Sequence, residues 1–224
     1  MRNLSKKYTS SNNNFYALKN VNLDIKNDTS IAIIGKSGAG KTTLLNILAM
    51  MDEPSSGEIV LNAGKLTNIN KLSEAEKNVL RISTFGFVFQ QFFLNENLNV
   101  LENVIFPLQI ANIPKEKRTN IALNALQEVN LLDKKDNMPY ELSAGQKQRV
   151  CIARSIINSP KIIFADEPTG NLDSGTSELI ENLLFKIQKT KKTTLIIVTH
   201  DNDLANKCQT KIIVKDGQII SAGK

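Results

Sequence analysis

Residues 35–42 read Gly-Lys-Ser-Gly-Ala-Gly-Lys-Thr and match the pattern G-x-x-x-x-G-K-[ST]. The run Ile31–Ile34 before it is continuously apolar, as in a strand covered on both faces. The stretch Thr42–Met51 after it carries Leu44, Leu45, Ile47 and Leu48 on one broad face, as in a helix. Strand, glycine turn and helix in that order define a phosphate cradle. The glycines let the backbone wrap tightly, so that successive N–H groups point inward at phosphate oxygens. The helix start adds a favourable dipole. Lys41 brings a positive charge beside the β- and γ-phosphates, and Thr42 offers a hydroxyl to Mg²⁺. The loop specifies a nucleoside triphosphatase and leaves its class open.

Two further strand ends carry chemistry. Ile162–Ala165 is a buried-strand candidate that ends in Asp166 and Glu167. In open α/β sheets ligands collect at the carboxyl ends of strands. Asp166 there suits Mg²⁺ through its water shell, and Glu167 suits the orientation or deprotonation of an attacking water. The sole histidine, His200, stands two positions past the strand candidate Thr193–Val198, where it reads as a sensor of the γ-phosphate. The remaining pattern is αβ alternation. Val21, Leu23 and Ile25 alternate as in a half-buried strand, and Phe85–Phe89 is strand-like. Ser73 with Glu76 forms a capping box, and Pro114 suits a first helical turn. Leu179, Ile180, Leu183, Leu184 and Ile187 mark a helix, and Lys211–Ile220 breaks at Asp216-Gly217 as a hairpin does. The class is α/β with a mainly parallel sheet.

Composition narrows the options. The 224 residues suffice for one domain. The net charge of +6 comes from lysines scattered along the chain, so no basic run marks a nucleic-acid tail. The two cysteines, Cys151 and Cys208, have no metal-ligand spacing and suit a reducing compartment. Met1–Tyr8 lacks the apolar core of a signal peptide, and no apolar run approaches bilayer length.

The ordered set of motifs is similar to that of ABC ATPases. Leu142-Ser143-Ala144-Gly145-Gln146, followed by Lys147-Gln148-Arg149-Val150 and Ala153-Arg154, resembles the family signature, which usually reads L-S-G-G-Q. Phe87-Val88-Phe89-Gln90 resembles the Q-loop, Gly170-Asn171-Leu172-Asp173 the D-loop and Thr199-His200-Asp201 the H-loop. Tyr8 stands where the family places an aromatic that stacks on adenine. Within the family, the chain resembles the branch of macrolide export, antimicrobial-peptide export and resistance, lipoprotein release and the cell-division complex. Tyr16-Ala17-Leu18, Asn46-Ile47-Leu48, Gly86-Phe87-Val88-Phe89-Gln90, Leu101-Glu102-Asn103-Val104 and Ala165-Asp166-Glu167-Pro168-Thr169-Gly170-Asn171-Leu172-Asp173 carry that likeness.

The resemblance implies a P-loop ABC domain over 1–224: a core lobe of about 1–90 and 161–224, with an N-terminal antiparallel β region, and a helical lobe of about 91–160. It implies ATP and Mg²⁺ as ligands. Nucleotide would meet Tyr8, Gly35, Lys36, Ser37, Gly38, Ala39, Gly40, Lys41, Thr42, Thr43, Gln90 and His200. Metal would meet Thr42, Gln90 and Asp166, with Glu167, His200 and Lys41 in catalysis. Ser143, capped against Gln146, opens a helix whose free N–H groups form an anion site. In the family that end, with Gly145, meets the γ-phosphate held by a second subunit. The implied partners are therefore a second ATP-binding subunit, as a homodimer, and an integral membrane permease. The implied place is the cytoplasm, peripheral on the inner face of the cell membrane.

Two positions depart from the pattern: Ala144 replaces the first signature glycine, and Lys36 stands where this branch usually has proline. Alanine is at ease in helical φ/ψ, so a working site is expected. The expected role is export or extraction of drug, peptide or lipoprotein, or, as in the cell-division relatives, control of a membrane complex without a solute. Nucleic-acid relatives carry coiled-coil insertions, zinc modules or paired engines, and this sequence has none of them, so no nucleic-acid partner is expected.

Overall fold

The computed structural model describes residues 1–10, 13–62 and 64–223. Near the N-terminus lie β1 (Arg2–Ser10), β2 (Asn13–Val21) and β3 (Ser30–Ile34), then α1 (Lys41–Leu48). Three short strands follow, β4 (Ser56–Glu58), β5 (Val60–Asn62) and β6 (Leu66–Asn68). Next come α2 (Glu74–Thr84), β7 (Phe85–Phe89), α3 (Val100–Ile110), α4 (Lys115–Glu128) and α5 (Ala144–Ile156). The chain closes with β8 (Ile162–Asp166), α6 (Ser174–Lys191), β9 (Thr194–Val198), α7 (Asn202–Lys207), β10 (Thr210–Lys215) and β11 (Gln218–Gly223). They divide into two units, Met1–Arg81 with Ile196–Lys224, and Ile82–Leu195.

In the first unit β1 pairs antiparallel with β2 and with β4. The buried strand β3 pairs in parallel with β10, Ile31 facing Thr210 and Ile34 facing Ile213. β10 turns into β11 through Asp216 and Gly217, with φ of 50° and 76°, the left-handed pair that a two-residue hairpin needs. The alternation at Val21, Leu23 and Ile25 outruns its strand. β2 stops at Val21, yet Leu23 stays buried because its N–H and C=O bond to the carbonyl and amino group of Met1. Likewise α1 ends at Leu48, short of the expected Met51. Met50 there is left-handed at φ 56°.

In the second unit β7 pairs in parallel with β8, Phe85 facing Ile162 and Phe89 facing Asp166. Phe164 of β8 meets Phe85 edge-on at 5.1 Å and stacks on Phe87 at 5.6 Å. Such pairs add about 1 kcal/mol each beyond burial. The backbone of α5 lies directly on β7: a Cβ on Gly86 would come 2.2 Å from the Ser155 carbonyl oxygen. Between Gln91 and Pro160 the described residues contain helices and no strand. No helix among the described residues is long and apolar enough to cross a membrane.

Both cysteines are buried, and burial pushes the Cys151 thiol up to about 11. Its S–H donates to the Phe92 carbonyl at 3.0 Å. A thiol held protonated and out of solvent is a poor nucleophile. The native protein at neutral pH should therefore react with maleimide at least roughly a hundredfold more slowly than the denatured chain. Mass spectrometry with and without denaturant reads this directly, and rapid labelling of Cys151 in the folded protein would contradict it.

Candidate functional site

The phosphate loop belongs to the first unit, between β3 and α1. Gly40 is the N-cap of α1 at φ 105°, a left-handed conformation that a side chain resists. A Cβ there would also come 2.4 Å from the Ala17 carbonyl oxygen, and one on Gly35 would come 2.2 Å from that of Val214. The loop can thus take this path only with glycine at both places. The helix start lacks a side-chain cap and has no acidic residue in its first turn. Asn99, Ser143, Asp173 and Asp201, by contrast, cap their helices with side-chain oxygens. An uncapped, acid-free helix start inside a backbone cradle fits a polyphosphate. Lys41 folds back over the loop, its Nζ donating to the carbonyls of Gly35 at 2.9 Å and Lys36 at 3.0 Å. Ser37, Gly38 and Thr42 are exposed, Thr43 is half-buried and Ala39 is buried under the loop.

His200 lies in the same unit. The residue before it, Thr199, donates its N–H to the carbonyl of Ile33 at 3.2 Å, beside the end of the strand that feeds the loop. The residue after it, Asp201, caps α7 by accepting from Asp203 and Leu204. His200 is thereby fixed at both flanks and its side chain is exposed.

Tyr8 is 43% exposed, and its hydroxyl donates to Asp52 Oδ2 at 2.7 Å. Lys6 Nζ stands 4.9 Å from the ring centroid and donates to Asp52 Oδ1 at 2.5 Å. Burial and the Asp52 bond raise the Tyr8 hydroxyl above its ordinary value, which keeps it a donor. Burial alone would raise the Asp52 carboxyl as well. The bonds from Lys6, Tyr8 and the Glu53 N–H outweigh it and hold the group below its ordinary value. The result is a partly exposed ring braced by a charged pair. Asp52 carries no local motif; it meets Tyr8 across 44 positions of the chain.

In the second unit the parallel register of β7 and β8 brings the two strand exits together, so that Gln90 and Glu167 each follow a paired residue. Asp166 and Glu167 are half-buried. Glu167 has φ 46°, a left-handed value uncommon for a non-glycine residue. Strain of this kind costs on the order of 1–3 kcal/mol and persists where surrounding bonds over-determine it. Its carbonyl accepts from Gly170 N–H at 3.1 Å, closing the turn. Gln90 and Asn171 bond reciprocally: Gln90 Nε2 donates to Asn171 Oδ1 at 3.2 Å, and Asn171 Nδ2 donates to the Gln90 carbonyl at 2.9 Å. That pairing orients the Gln90 amide by its nitrogen and keeps its oxygen, the end able to hold a cation, outside the bond.

The α5 start has the expected reciprocal cap. Ser143 Oγ accepts from Gln146 N–H at 3.3 Å, and Ser143 N–H donates to Gln146 Oε1 at 2.9 Å. Ala144 is exposed at the first helical position, where its methyl has room. Gly145 is different, for a Cβ there would come 2.4 Å from Thr176 Cγ2 of α6. The chain's own packing keeps this second glycine. Among the described residues no three His, Cys, Asp or Glu side chains group as a metal-holding set. A hydroxyl, an amide oxygen and one carboxylate with water are Mg²⁺-type donors and need no such cluster.

Comparison with known proteins adds a direct measure. The family model described as ABC transporter matches residues 18–170. The lipoprotein-releasing system ATP-binding protein LolD of Wigglesworthia glossinidia brevipalpis is 43% identical over 97% of this chain and 94% of its own. YknY of Bacillus subtilis, an uncharacterised ABC transporter ATP-binding protein, is 40% identical over 99% of this chain and 95% of its own. The dimeric structure of MJ0796, a bacterial ABC transporter cassette, superposes with a TM-score of 0.89 at 40% identity, covering 100% of this chain and 97% of that one. The same cassette in a post-hydrolysis state bound to ADP and Pi matches equally well.

Proposed function

This chain belongs to the ABC transporter family as one of its ATP-hydrolysing subunits, and we propose that it drives a membrane permease in export or extraction, with lipoprotein release as the cargo reaction. The observation that carries the motor reading is the incomplete site. The chain owns an uncapped phosphate loop and, separately, a capped helix start at Ser143 with the N–H groups of Ala144 and Gly145 ahead of any intrahelical acceptor. Two copies, each offering its Ser143 end to the nucleotide on the other's loop, make two whole sites. The dimer of the similar MJ0796 cassette supports this arrangement. The cargo reading rests on LolD relatives.

The mechanism assigns each side chain a task. Tyr8 stacks on adenine, its ring held by Asp52 and Lys6. The backbone of 35–43, Lys36 included, wraps the phosphates, and Lys41 leaves its two loop carbonyls to bond the β- and γ-phosphate oxygens. Thr42, Gln90 and Asp166 would hold Mg²⁺, which when bound neutralises charge across those phosphates. Glu167 orients the attacking water and takes its proton as the new oxygen–phosphorus bond forms and the bridging bond to ADP breaks. His200 donates to the γ-phosphate, and Ser143, Gly145 and Gln146 of the second subunit close the far side. The segment of about 91–160 receives the permease. It exposes Phe93 (64%), Phe106 (50%), Ile110 (49%) and Tyr140 (70%), apolar surface suited to a partner. The permease holds the chain on the inner face of the membrane.

The test is ATPase stimulation in lipid nanodiscs, using the membrane partner recovered on the tagged native chain. Purified lipoprotein should raise the rate at least roughly threefold over lipid alone, as cargo that favours the closed dimer must. Stimulation by a macrolide or a peptide in its place would overturn the cargo. A rate indifferent to every cargo would point to the regulatory role of the cell-division relatives. Stimulation by DNA or RNA would overturn the membrane reading.

A further inference from the structure

Gln148, on the second turn of α5, is only 1% exposed and lies on neither the phosphate loop nor the water-activating turn. Its Nε2 donates at once to the carbonyl of Phe89 at 3.2 Å and to that of Pro168 at 2.6 Å. Phe89 immediately precedes Gln90, and Pro168 immediately follows Glu167. One amide therefore ties the exits of two neighbouring strands to the helix whose N-cap is Ser143. Two more residues on the same face extend the row. Cys151 Sγ donates to the Phe92 carbonyl at 3.0 Å, and Arg154 donates to the carbonyls of Phe92 at 2.8 Å and Phe93 at 2.7 Å. Positions i, i+3 and i+6 share a helix face, so the segment from Phe89 to Phe93 is laced along α5.

The arrangement is retained against a cost. With both hydrogens of one nitrogen given to carbonyls, the buried Gln148 Oε1 has no hydrogen-bond partner among the described residues. Orphaned polar atoms in a core are rare and call for a reason. An apolar residue of the same length would remove the orphan and would also release both carbonyls. One of them belongs to the turn that keeps Glu167 left-handed.

We propose that Gln148 is a positioning residue, whose paired donation sets the exits bearing Gln90 and Glu167 in fixed register with the helix bearing Ser143, Gly145 and Gln146. Nucleotide engagement at the Ser143 end then bears on the metal and water positions through this amide. The inference rests on the roles proposed above for Gln90 and Glu167.

Gln148→Met keeps length and bulk and donates nothing. Measured on the full-length protein, kcat should fall roughly 30-fold while the Kd for ATP stays within about threefold, since a misplacement near 1 Å costs chemistry more than binding. The Mg²⁺ concentration for half-maximal rate should rise severalfold. Gln148→Glu supplies the rescue. Its buried acid, when protonated, donates one of the two bonds, so its rate relative to wild type should climb as pH falls from about 8.5 to 6. The inference is overturned if Gln148→Met turns over within about threefold of wild type, or if its kcat and ATP affinity fall together. Should Gln148→Met fail to fold, the Gln148→Glu ratio decides, and a flat profile overturns the inference. Loss of the Gln148 effect in an active wild-type background refutes this residue's role alone, whereas a wild-type rate unchanged by Glu167→Gln refutes the reading it rests on.

Discussion

Glu167→Gln is expected to cut ATP turnover by roughly a thousandfold, about 4 kcal/mol of transition-state stabilisation, within the range of a lost general base. The substitution changes little else. Glutamine has the same length and is no worse than glutamate at φ 46°, so the strained turn and the Gly170 bond to its carbonyl stay. The proton acceptor disappears. Binding of Mg-ATP should remain within a few-fold of wild type, because the phosphate contacts belong to other residues. ATP then persists, and two subunits held by unhydrolysed nucleotide should elute as a dimer. Gel filtration with Mg-ATP, set beside a phosphate-release assay, reads both effects. A variant that releases phosphate within threefold of the parent would remove Glu167 from the chemistry.

Lys41→Met is expected to produce the opposite separation, with binding and turnover failing together. Two carbonyls now hold the ammonium at 2.9 and 3.0 Å, across the mouth of the loop. Charge-assisted bonds to phosphate are the strong class, and their loss should weaken ATP binding by roughly a hundredfold, near 3 kcal/mol. The free loop loses its brace as well, worth about 1 kcal/mol of stability. Arginine does not substitute, because its planar fork cannot reproduce a point charge folded into so tight a turn. Titration calorimetry checks the binding loss. If ATP affinity survives while turnover falls, Lys41 acts on the transition state alone and the cradle argument needs revision.

The parts legible in the sequence were those in which a local rule sufficed. Apolar runs gave β3, β8 and β9 within a residue or two. The Asp216-Gly217 pair gave the hairpin, and serine with an acid or amide three residues on gave the starts of α2 and α5. β1 was implied only by the resemblance, as part of an N-terminal antiparallel β region; no period marks it, because Arg2–Ser10 is largely polar and, among its residues of described burial, only Leu4 and Ser5 are buried. The three-residue strands β4, β5 and β6 are too short for a period to appear.

The site divides in the same way. Its motif residues stand in compact strings that spacing alone can find. The side chains that hold them do not: Asp52 reaches Tyr8 across 44 positions, Gln148 reaches Phe89 across 59 and Asn171 reaches Gln90 across 81. Such pairs follow from tertiary packing, which one sequence does not display. The left-handed backbone at Glu167 was equally hidden, since glycine is the residue that usually announces it.

The C-terminal hairpin has one more implication. Gly217 at its tip donates to the carbonyl of Ala39 at 3.0 Å and accepts from Lys19 at 2.8 Å, while the Val214 carbonyl lies against Gly35. The cradle is thus shored up by residues far along the chain from it. The Lys41 segment takes its shape only against this distant hairpin, so loosening the β10–β11 turn would loosen the grip on nucleotide without touching a single phosphate-loop residue.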